Sequence, residues 1–182
     1  MTDAPQKVLF VDRDGTLIEE PPDEQVDSLA KVRWLPDVFA PLQQLVAAGY
    51  RLVMVTNQDG LGTSSFPREQ FEAPQSFVVD TLASQGIRFD AICICPHRPA
   101  DGCECRKPKS GMFKRISETL NVDLNGVPAI GDSLRDLQSS ATVGCLPMLV
   151  RTGKGEKTRA EGLRSEGIGS GQPFRRSPLI SK

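Results

Sequence analysis

The stretch Val8-Leu9-Phe10-Val11 runs straight into Asp12-Arg13-Asp14-Gly15-Thr16. Four consecutive apolar residues read as a short strand buried on both faces, of the kind found inside parallel sheets. Gly15 follows as a breaker, so Asp12 and Asp14 stand where the strand gives way to a loop. In open α/β sheets that carboxyl edge is where ligands bind. The two acids are two positions apart, which places them on one side of an extended backbone. Carboxylates crowded in this way repel unless a cation or a shared proton compensates them. Mg²⁺ is the natural compensation, because it binds through one or two carboxylates together with substrate phosphate. The bland alternative is a strand-end turn carrying two solvated acids.

Outward from this stretch, apolar runs of strand length recur at Leu52–Val55, Ala91–Cys95, Val127–Ile130 and Met148–Val150. Helical spacing fills the intervals. Pro36 to Ala48 carries Val38, Phe39, Leu42, Leu45 and Val46 and is closed by Gly49. Pro67 to Ser84 follows, with Pro74 as a break or kink, and then Gly111 to Leu120 and Ser133 to Val143. Strands alternating with such helices predict βαβ units, an α/β fold and a mostly parallel sheet covered on both faces. Glu19 to Lys31 is a polar loop with Pro21-Pro22, long enough to fold over a site and too short for a cap domain. From Gly153 onward the chain is rich in glycine, carries more basic than acidic residues and has little apolar periodicity. The reading is therefore one domain over residues 1–152 and a flexible tail over 153–182.

A chain of 182 residues suffices for one such domain and not for two full ones. With 22 basic against 23 acidic residues, no global field points to nucleic acid or an anionic membrane. The apolar runs are far short of a membrane span, and Met-Thr-Asp-Ala-Pro lacks the features of a signal peptide. The cytoplasm is the default location, and without a coiled-coil seam a monomer is the default state.

Further strand ends deliver polar groups. Leu52–Val55 ends in Thr56-Asn57-Gln58-Asp59-Gly60, and Val127–Ile130 ends in Gly131-Asp132-Ser133, followed by Asp136. Singly, Thr56 and Gly-Asp-Ser make good helix caps. Together they would gather on one sheet edge, and Lys107 adds a fixed positive charge near the start of the next helix. Three acids, a hydroxyl, an amide and a lysine match the needs of phosphoryl transfer from a monoester. There the transition-state charge spreads over the equatorial oxygens, and catalysis is largely positioning and electrostatics. A carboxylate is a competent nucleophile, and a second carboxyl must protonate the leaving alkoxide and later activate water.

Asp12-Arg13-Asp14-Gly15-Thr16, Thr56-Asn57, Lys107 and Gly131-Asp132-Ser133-x-x-Asp136 resemble the four ordered motifs of the haloacid dehalogenase superfamily of phosphatases. The resemblance covers roughly residues 7–152. It implies a doubly wound sheet in the order 3-2-1-4-5 and the subclass without a cap domain. It also implies Asp12 as nucleophile and Asp14 as general acid/base, with Thr56 and Lys107 holding the transferring phosphoryl group. Asp12, Asp132 and the Asp14 main-chain carbonyl are the implied Mg²⁺ ligands, with Asp136 behind them.

A second cluster is Cys95-Pro96-His97 followed by Cys103-Glu104-Cys105. Thiolates and an imidazole at this density suit a tetrahedral Zn²⁺ closed by four protein ligands, a structural site and not a catalytic one. The alternative is buried thiols beside a surface histidine. Cys93 is expected in the core and Cys145 as a small buried filler.

The cysteine loop narrows the resemblance to two groups within the superfamily, the histidinol-phosphate and the heptose 1,7-bisphosphate phosphatases. Residues up to Lys109 look like the first, including Asp59 where the heptose enzymes usually carry Ser. Residues after it look like the second, as in Val150-Arg151-Thr152-Gly153-Lys154. Histidinol phosphate is cationic, so Glu19, Glu20, Asp23, Asp27 and Asp59 on the flanking loops favour it, unless they are only a solvated face. A bisphosphate would call on Arg106 and Arg13. Asn57, Asp59, Arg106 and Glu20 are the expected substrate contacts, and the partner is a small phosphorylated metabolite. Bifunctional histidine enzymes carry a dehydratase domain after this module, so the chain is expected to be a stand-alone phosphatase or to lack a C-terminal partner domain. The switch in resemblance after Lys109 leaves a recombined sequence as a further alternative. Two non-enzyme readings compete: a zinc-stabilised binding module, which would not require acids at three strand ends, and a signalling receiver, which would not require Asp14.

Overall fold

The computed structural model describes residues 7–162. Its frame is a five-stranded sheet in the order β3-β2-β1-β4-β5, with every neighbouring pair parallel. The strands are β1 (Val8–Val11), β2 (Arg51–Asn57), β3 (Phe89–Cys95), β4 (Pro128–Gly131) and β5 (Leu146–Leu149). The helices are α1 (Phe39–Ala47), α2 (Arg68–Ser84), α3 (Gly111–Leu120), α4 (Leu134–Ala141) and α5 (Gly155–Gly162). This is the expected doubly wound α/β arrangement, and among the described residues no cap domain stands over the sheet edge.

Alternate residues of β1 serve opposite faces, as a strand requires. Val8 and Phe10 pack with Val53, Val55, Met112, Phe113 and Ile116, and the Phe10 and Phe113 rings lie 4.8 Å apart. Leu9 and Val11 pack with Leu42, Leu52, Met54, Val78 and Leu82. Thus α3 covers one face, and α1 and α2 cover the other. All four β1 residues are buried, and each such side chain contributes roughly 1.5–3 kcal/mol. The strand that carries Asp12 is therefore firmly anchored on both faces.

Several expected boundaries move. Parallel pairing extends β2 through Arg51, Thr56 and Asn57, polar residues that an apolar run does not include. β5 begins at Leu146, whose N–H donates to the Val127 carbonyl. α2 passes through Pro74 without a break. Phe71, Pro74, Val78 and Leu82 share its buried face at helical spacing, and this packing outweighs the backbone bond that proline cannot make.

The polar loop after β1 is pinned at both ends. Ile18 bridges Trp34, the Glu19 N–H donates to the Arg33 carbonyl, and Val26 reaches into the core with 1% exposure. The C-terminal boundary at residue 152 needs correction. Residues 155–162 form α5, and Gly155 and Thr158 are buried against the rest of the fold. The remainder of the expected tail, 163–182, lies outside the described residues.

Candidate active site

Val11 pairs with Met54 on β2 and with Ile130 on β4, so Asp12, Thr56 and Asp132 emerge together from one sheet edge. Gly15 turns the chain there at φ +77°, and a Cβ on it would overlap the Asp132 carboxylate. The two loops therefore touch because one residue lacks a side chain.

Lys107 is the hub. It is 3% exposed, and its Nζ donates to Asp12 Oδ1 at 2.7 Å and to the Val55 carbonyl at 2.9 Å, and it pairs with Asp136 Oδ1 at 2.5 Å. Its backbone is clasped by Asn57: Asn57 Nδ2 donates to the Lys107 carbonyl, and the Lys107 N–H donates to Asn57 Oδ1, both at 3.1 Å. Asp136 closes a capping box at the start of α4, accepting from the Ser133 N–H at 2.9 Å and the Ser133 hydroxyl at 2.6 Å. Asp132 Oδ2 accepts the Lys154 N–H at 2.7 Å, and the Thr158 hydroxyl donates to the Asp132 carbonyl. Asp14 turns toward Arg13 Nη1 at 3.0 Å and Gln58 Nε2 at 2.6 Å.

The electrostatics follow from burial. Asp12, Asp132 and Asp136 each offer an oxygen within 4.8 Å of the others, and Lys107 compensates only part of their charge. Burial pushes the Asp12 carboxyl well above the usual range; Asp136 and Asp132 add to the push, and Lys107 opposes it. Burial also pushes Asp132 up to about 6, against the Lys154 N–H. For Asp136 burial works the same way, but Lys107 and Ser133 prevail and hold it below the usual value. Burial disfavours the Lys107 ammonium, yet Asp12 and Asp136 hold its pKa above that of a free lysine. Three carboxylates and one ammonium leave an excess of two negative charges, the charge of a divalent cation.

The cysteine loop gathers a second cluster. Cys105 Sγ lies 3.0 Å from Cys95 Sγ and 3.5 Å from Cys103 Sγ, and His97 Nδ1 lies 3.2 Å from Cys105 Sγ. All four groups fall within 4.8 Å of one another. Backbone bonds from the Gln58 N–H to the Cys95 carbonyl and from the Gly60 N–H to the Pro96 carbonyl dock this loop on the end of β2. Cys93 and Cys145 are buried in the core cluster around Phe10.

Asp12, Asp14, Thr56, Asn57, Lys107, Asp132 and Glu20 line one small, open cleft. Arg106 and Asp59 do not line it; they face each other, with Arg106 Nε and Nη2 donating to the Asp59 carboxylate at 3.0 and 2.6 Å. Arg13 is fully buried, not available at the mouth. The flanking acids are also engaged: Glu20 and Glu24 share Lys154, and Asp23 and Asp27 share Lys31. Sequence reasoning missed Arg135 and Lys154 in the cleft wall and Gln58 against Asp14. Lys154 carries a signal in the sequence, since Arg151-Thr152-Gly153-Lys154 resembles the heptose 1,7-bisphosphate phosphatases, yet the segment's composition reads as the edge of a tail.

A family model described as polynucleotide kinase 3 phosphatase matches residues 7–133, and one described as HAD-hyrolase-like matches residues 104–168. The chain is 44% identical over 161 residues to the D-glycero-beta-D-manno-heptose-1,7-bisphosphate 7-phosphatase of Bordetella bronchiseptica, covering 88% of this chain and 89% of that protein. It is 53% identical over 139 residues to the histidine biosynthesis bifunctional protein HisB of Legionella pneumophila (strain Lens). That match covers 76% of this chain and 40% of HisB, and the HisB of Actinobacillus pleuropneumoniae is spanned over 38% of its length. A crystal structure of D,D-heptose 1,7-bisphosphate phosphatase from B. bronchiseptica, complexed with magnesium and phosphate, superposes with a TM-score of 0.82 at 42% identity, covering 89% of this chain and 90% of that one. With the acids of β1 and β4, the threonine of β2 and a buried lysine converging on one edge of such a sheet, the chain belongs to the haloacid dehalogenase-like family and is a phosphatase.

Proposed function

We propose that the chain hydrolyses histidinol phosphate through a phosphoryl-enzyme formed on Asp12, with Mg²⁺ at the acid cluster and a structural Zn²⁺ in the cysteine loop. The donor sets fit both ions. Asp12 and Asp132 supply hard oxygens in a pocket with an excess of two negative charges, and the Asp14 carbonyl would complete the protein's share, while Asp136 is committed to Lys107 and Ser133. When bound, Mg²⁺ would polarise a phosphoryl oxygen and offset the charge between anionic nucleophile and anionic substrate. Cys95, His97, Cys103 and Cys105 would close a tetrahedral Zn²⁺ site that holds Arg106 and Lys107 in place.

The residues then divide the work. The Asp12 carboxylate attacks phosphorus, and the bond from phosphorus to the substrate oxygen breaks as Asp14 gives that oxygen a proton. The Thr56 hydroxyl and the Lys107 ammonium hold the equatorial oxygens. Asp14 next takes a proton from water, whose oxygen attacks phosphorus and releases Asp12 and orthophosphate. The buried cluster of Asp12, Lys107, Asp132 and Asp136 carries this reading.

For the substrate, the supporting observation is that Arg106 and Asp59, although outside the cleft wall, are already paired with each other through two hydrogen bonds. Lys154 is likewise shared between two glutamates. A second phosphate would have to break these pairs, whereas carboxylates already in ion pairs keep free lone pairs for a substrate amine. Heptose 1,7-bisphosphate is the second reading, favoured by Arg135 in the cleft wall and by the extent of the match to the B. bronchiseptica enzyme. Comparing kcat/KM on the two compounds with Mg²⁺ present separates them. We expect histidinol phosphate to be preferred by at least tenfold (about 1.4 kcal/mol), with turnover lost in Asp12→Asn. A preference for the bisphosphate would transfer the assignment to it.

A further inference from the structure

We propose that Arg13 and Gln58 are positioning residues for Asp14, a role that rests on the reading of Asp14 as general acid/base. Arg13 is 0% exposed although it sits one residue from the cleft. Its Nη1 donates to Asp14 Oδ1 at 3.0 Å and reaches Oδ2 at 3.3 Å. Its Nε and Nη2 are buried without a hydrogen-bond partner among the described residues, and the guanidinium lies over the Phe71 ring at 5.2 Å. Burying an arginine is costly unless its charge is paired, and the carboxylate it pairs with here is that of Asp14. Leucine or methionine would fill the space over Phe71 without that cost. The arginine's distinguishing contribution is therefore its grip on Asp14.

Gln58 completes the grip from the other side. It is 2% exposed, and its Nε2 donates to Asp14 Oδ2 at 2.6 Å and to the Thr56 hydroxyl at 3.0 Å. Its own N–H donates to the Cys95 carbonyl at 2.7 Å. A continuous hydrogen-bonded path thus runs from the cysteine loop through Gln58 to Asp14 and Thr56. Both partners of Asp14 act as donors from fixed, buried positions, so they set where its carboxyl points. Aim matters more to a proton donor than to a bulk support, because proton transfer requires hydrogen-bond reach of the departing oxygen.

The dependence on leaving group reads this role out. A poor leaving group such as an alkoxide needs its proton, whereas 4-nitrophenolate departs without one. Values of kcat/KM for an alkyl phosphate and for 4-nitrophenyl phosphate, which report formation of the phosphoryl-enzyme, would be measured for the wild type, Asp14→Asn, Gln58→Met, Arg13→Met and Arg13→Lys. We expect Asp14→Asn to lose about 10²–10⁴-fold on the alkyl phosphate and far less on the aryl one. Gln58→Met and Arg13→Met should show the same bias at about tenfold, with Arg13→Lys recovering part of it through its remaining charged donor. Equal losses on both substrates in the Gln58 and Arg13 variants, with the bias present in Asp14→Asn, would overturn the positioning role alone. Absence of the bias in Asp14→Asn would overturn the acid/base reading beneath it. Should the Arg13 variants fail to fold, Gln58→Met carries the same test.

Discussion

At the scale of single residues, the chemistry turns on a carboxylate held at an unfavourable charge. Asp132 has its pKa pushed up to about 6 by burial, above the 3.8 of a free aspartate. A folded-state pKa above the unfolded-state value means that the folded protein binds the proton more tightly. Without metal, the cost of ionised Asp132 is fully present above pH 6 and is relieved as the pH falls through 6 toward 3.8. A divalent cation replaces the proton and offsets that cost where Asp132 is ionised. The gain in Tm on adding Mg²⁺ over EDTA should therefore be larger at about pH 8 than at about pH 5, and Asp132→Asn should flatten the difference. An equal gain at both pH values would show that Asp132 does not share the ion. Asp12, Asp14, Thr56 and Asp132 were legible in the sequence because each follows an apolar run at a strand end. Arg13 and Gln58 were not, since polar residues in a loop read as solvent-facing. Only the tertiary fold, which brings Phe71 under Arg13, buries them.

At the scale of elements, the cysteine loop joins the end of β3 to the start of α3, with Cys95 in the core cluster and Cys103 and Cys105 packed against it. It has few apolar side chains of its own, yet it carries Arg106 and Lys107 directly after Cys105, and Lys107 must reach Asp12. The gathering of its three thiols and one imidazole was legible from spacing alone. Its docking onto β2 through the Asn57 and Gln58 bonds was not, because those pairs join residues far apart in the chain. If Zn²⁺ fills the cluster, metal analysis should find about one zinc per chain, as a closed four-ligand site holds one ion. Cys105→Ser should then lower Tm by roughly 5–10 °C, given about 2–4 °C per kcal/mol for a chain of this length. The same variant should lose activity by at least tenfold (~1.4 kcal/mol in the barrier), because Lys107 loses its support. A zinc-free Cys105→Ser protein with unchanged Tm and turnover would remove the structural role. The identities of the five strands and of α1 to α4 were readable, whereas their ends, and α5 altogether, were not. Thr56 and Asn57 extend β2 because β3 lies beside them, a fact of tertiary pairing that local composition does not record.

At the scale of the whole molecule, the site is closed by the segment after β5 returning to the loop after β1. Thr152 Oγ1 donates to the Gly15 carbonyl at 2.8 Å, and the Lys154 N–H donates to Asp132. Gly153 sits between them at φ +53°, where a Cβ would overlap both Gly15 and the Asp132 carboxylate. The sequence reading put this segment in a tail, since glycine and scattered charge without apolar period signal flexibility. Here the glycine is needed for close approach, and the helix that follows contributes a buried threonine to the Asp132 backbone instead of an apolar stripe. Asp132 is thereby held from both sides, by the loop after β1 and by the segment after β5. Gly153→Ala should cost about 1 kcal/mol or more in stability, because alanine resists a positive φ even where space allows. It should also weaken Mg²⁺ binding by about tenfold or more, since a hydrogen bond to a charged group is worth roughly 1.5–3 kcal/mol and the Lys154 N–H would be displaced from Asp132. Lys154→Met provides the contrast. It keeps the backbone N–H on Asp132 and removes a positive charge beside Asp132 together with the bridge to Glu20 and Glu24, so Mg²⁺ affinity should not fall while KM for a charged substrate changes. Mg²⁺ titration followed by Tm, run beside steady-state kinetics on both variants, checks the two halves separately. Wild-type Mg²⁺ affinity in Gly153→Ala would mean that the returning segment packs against the site without holding Asp132 in place.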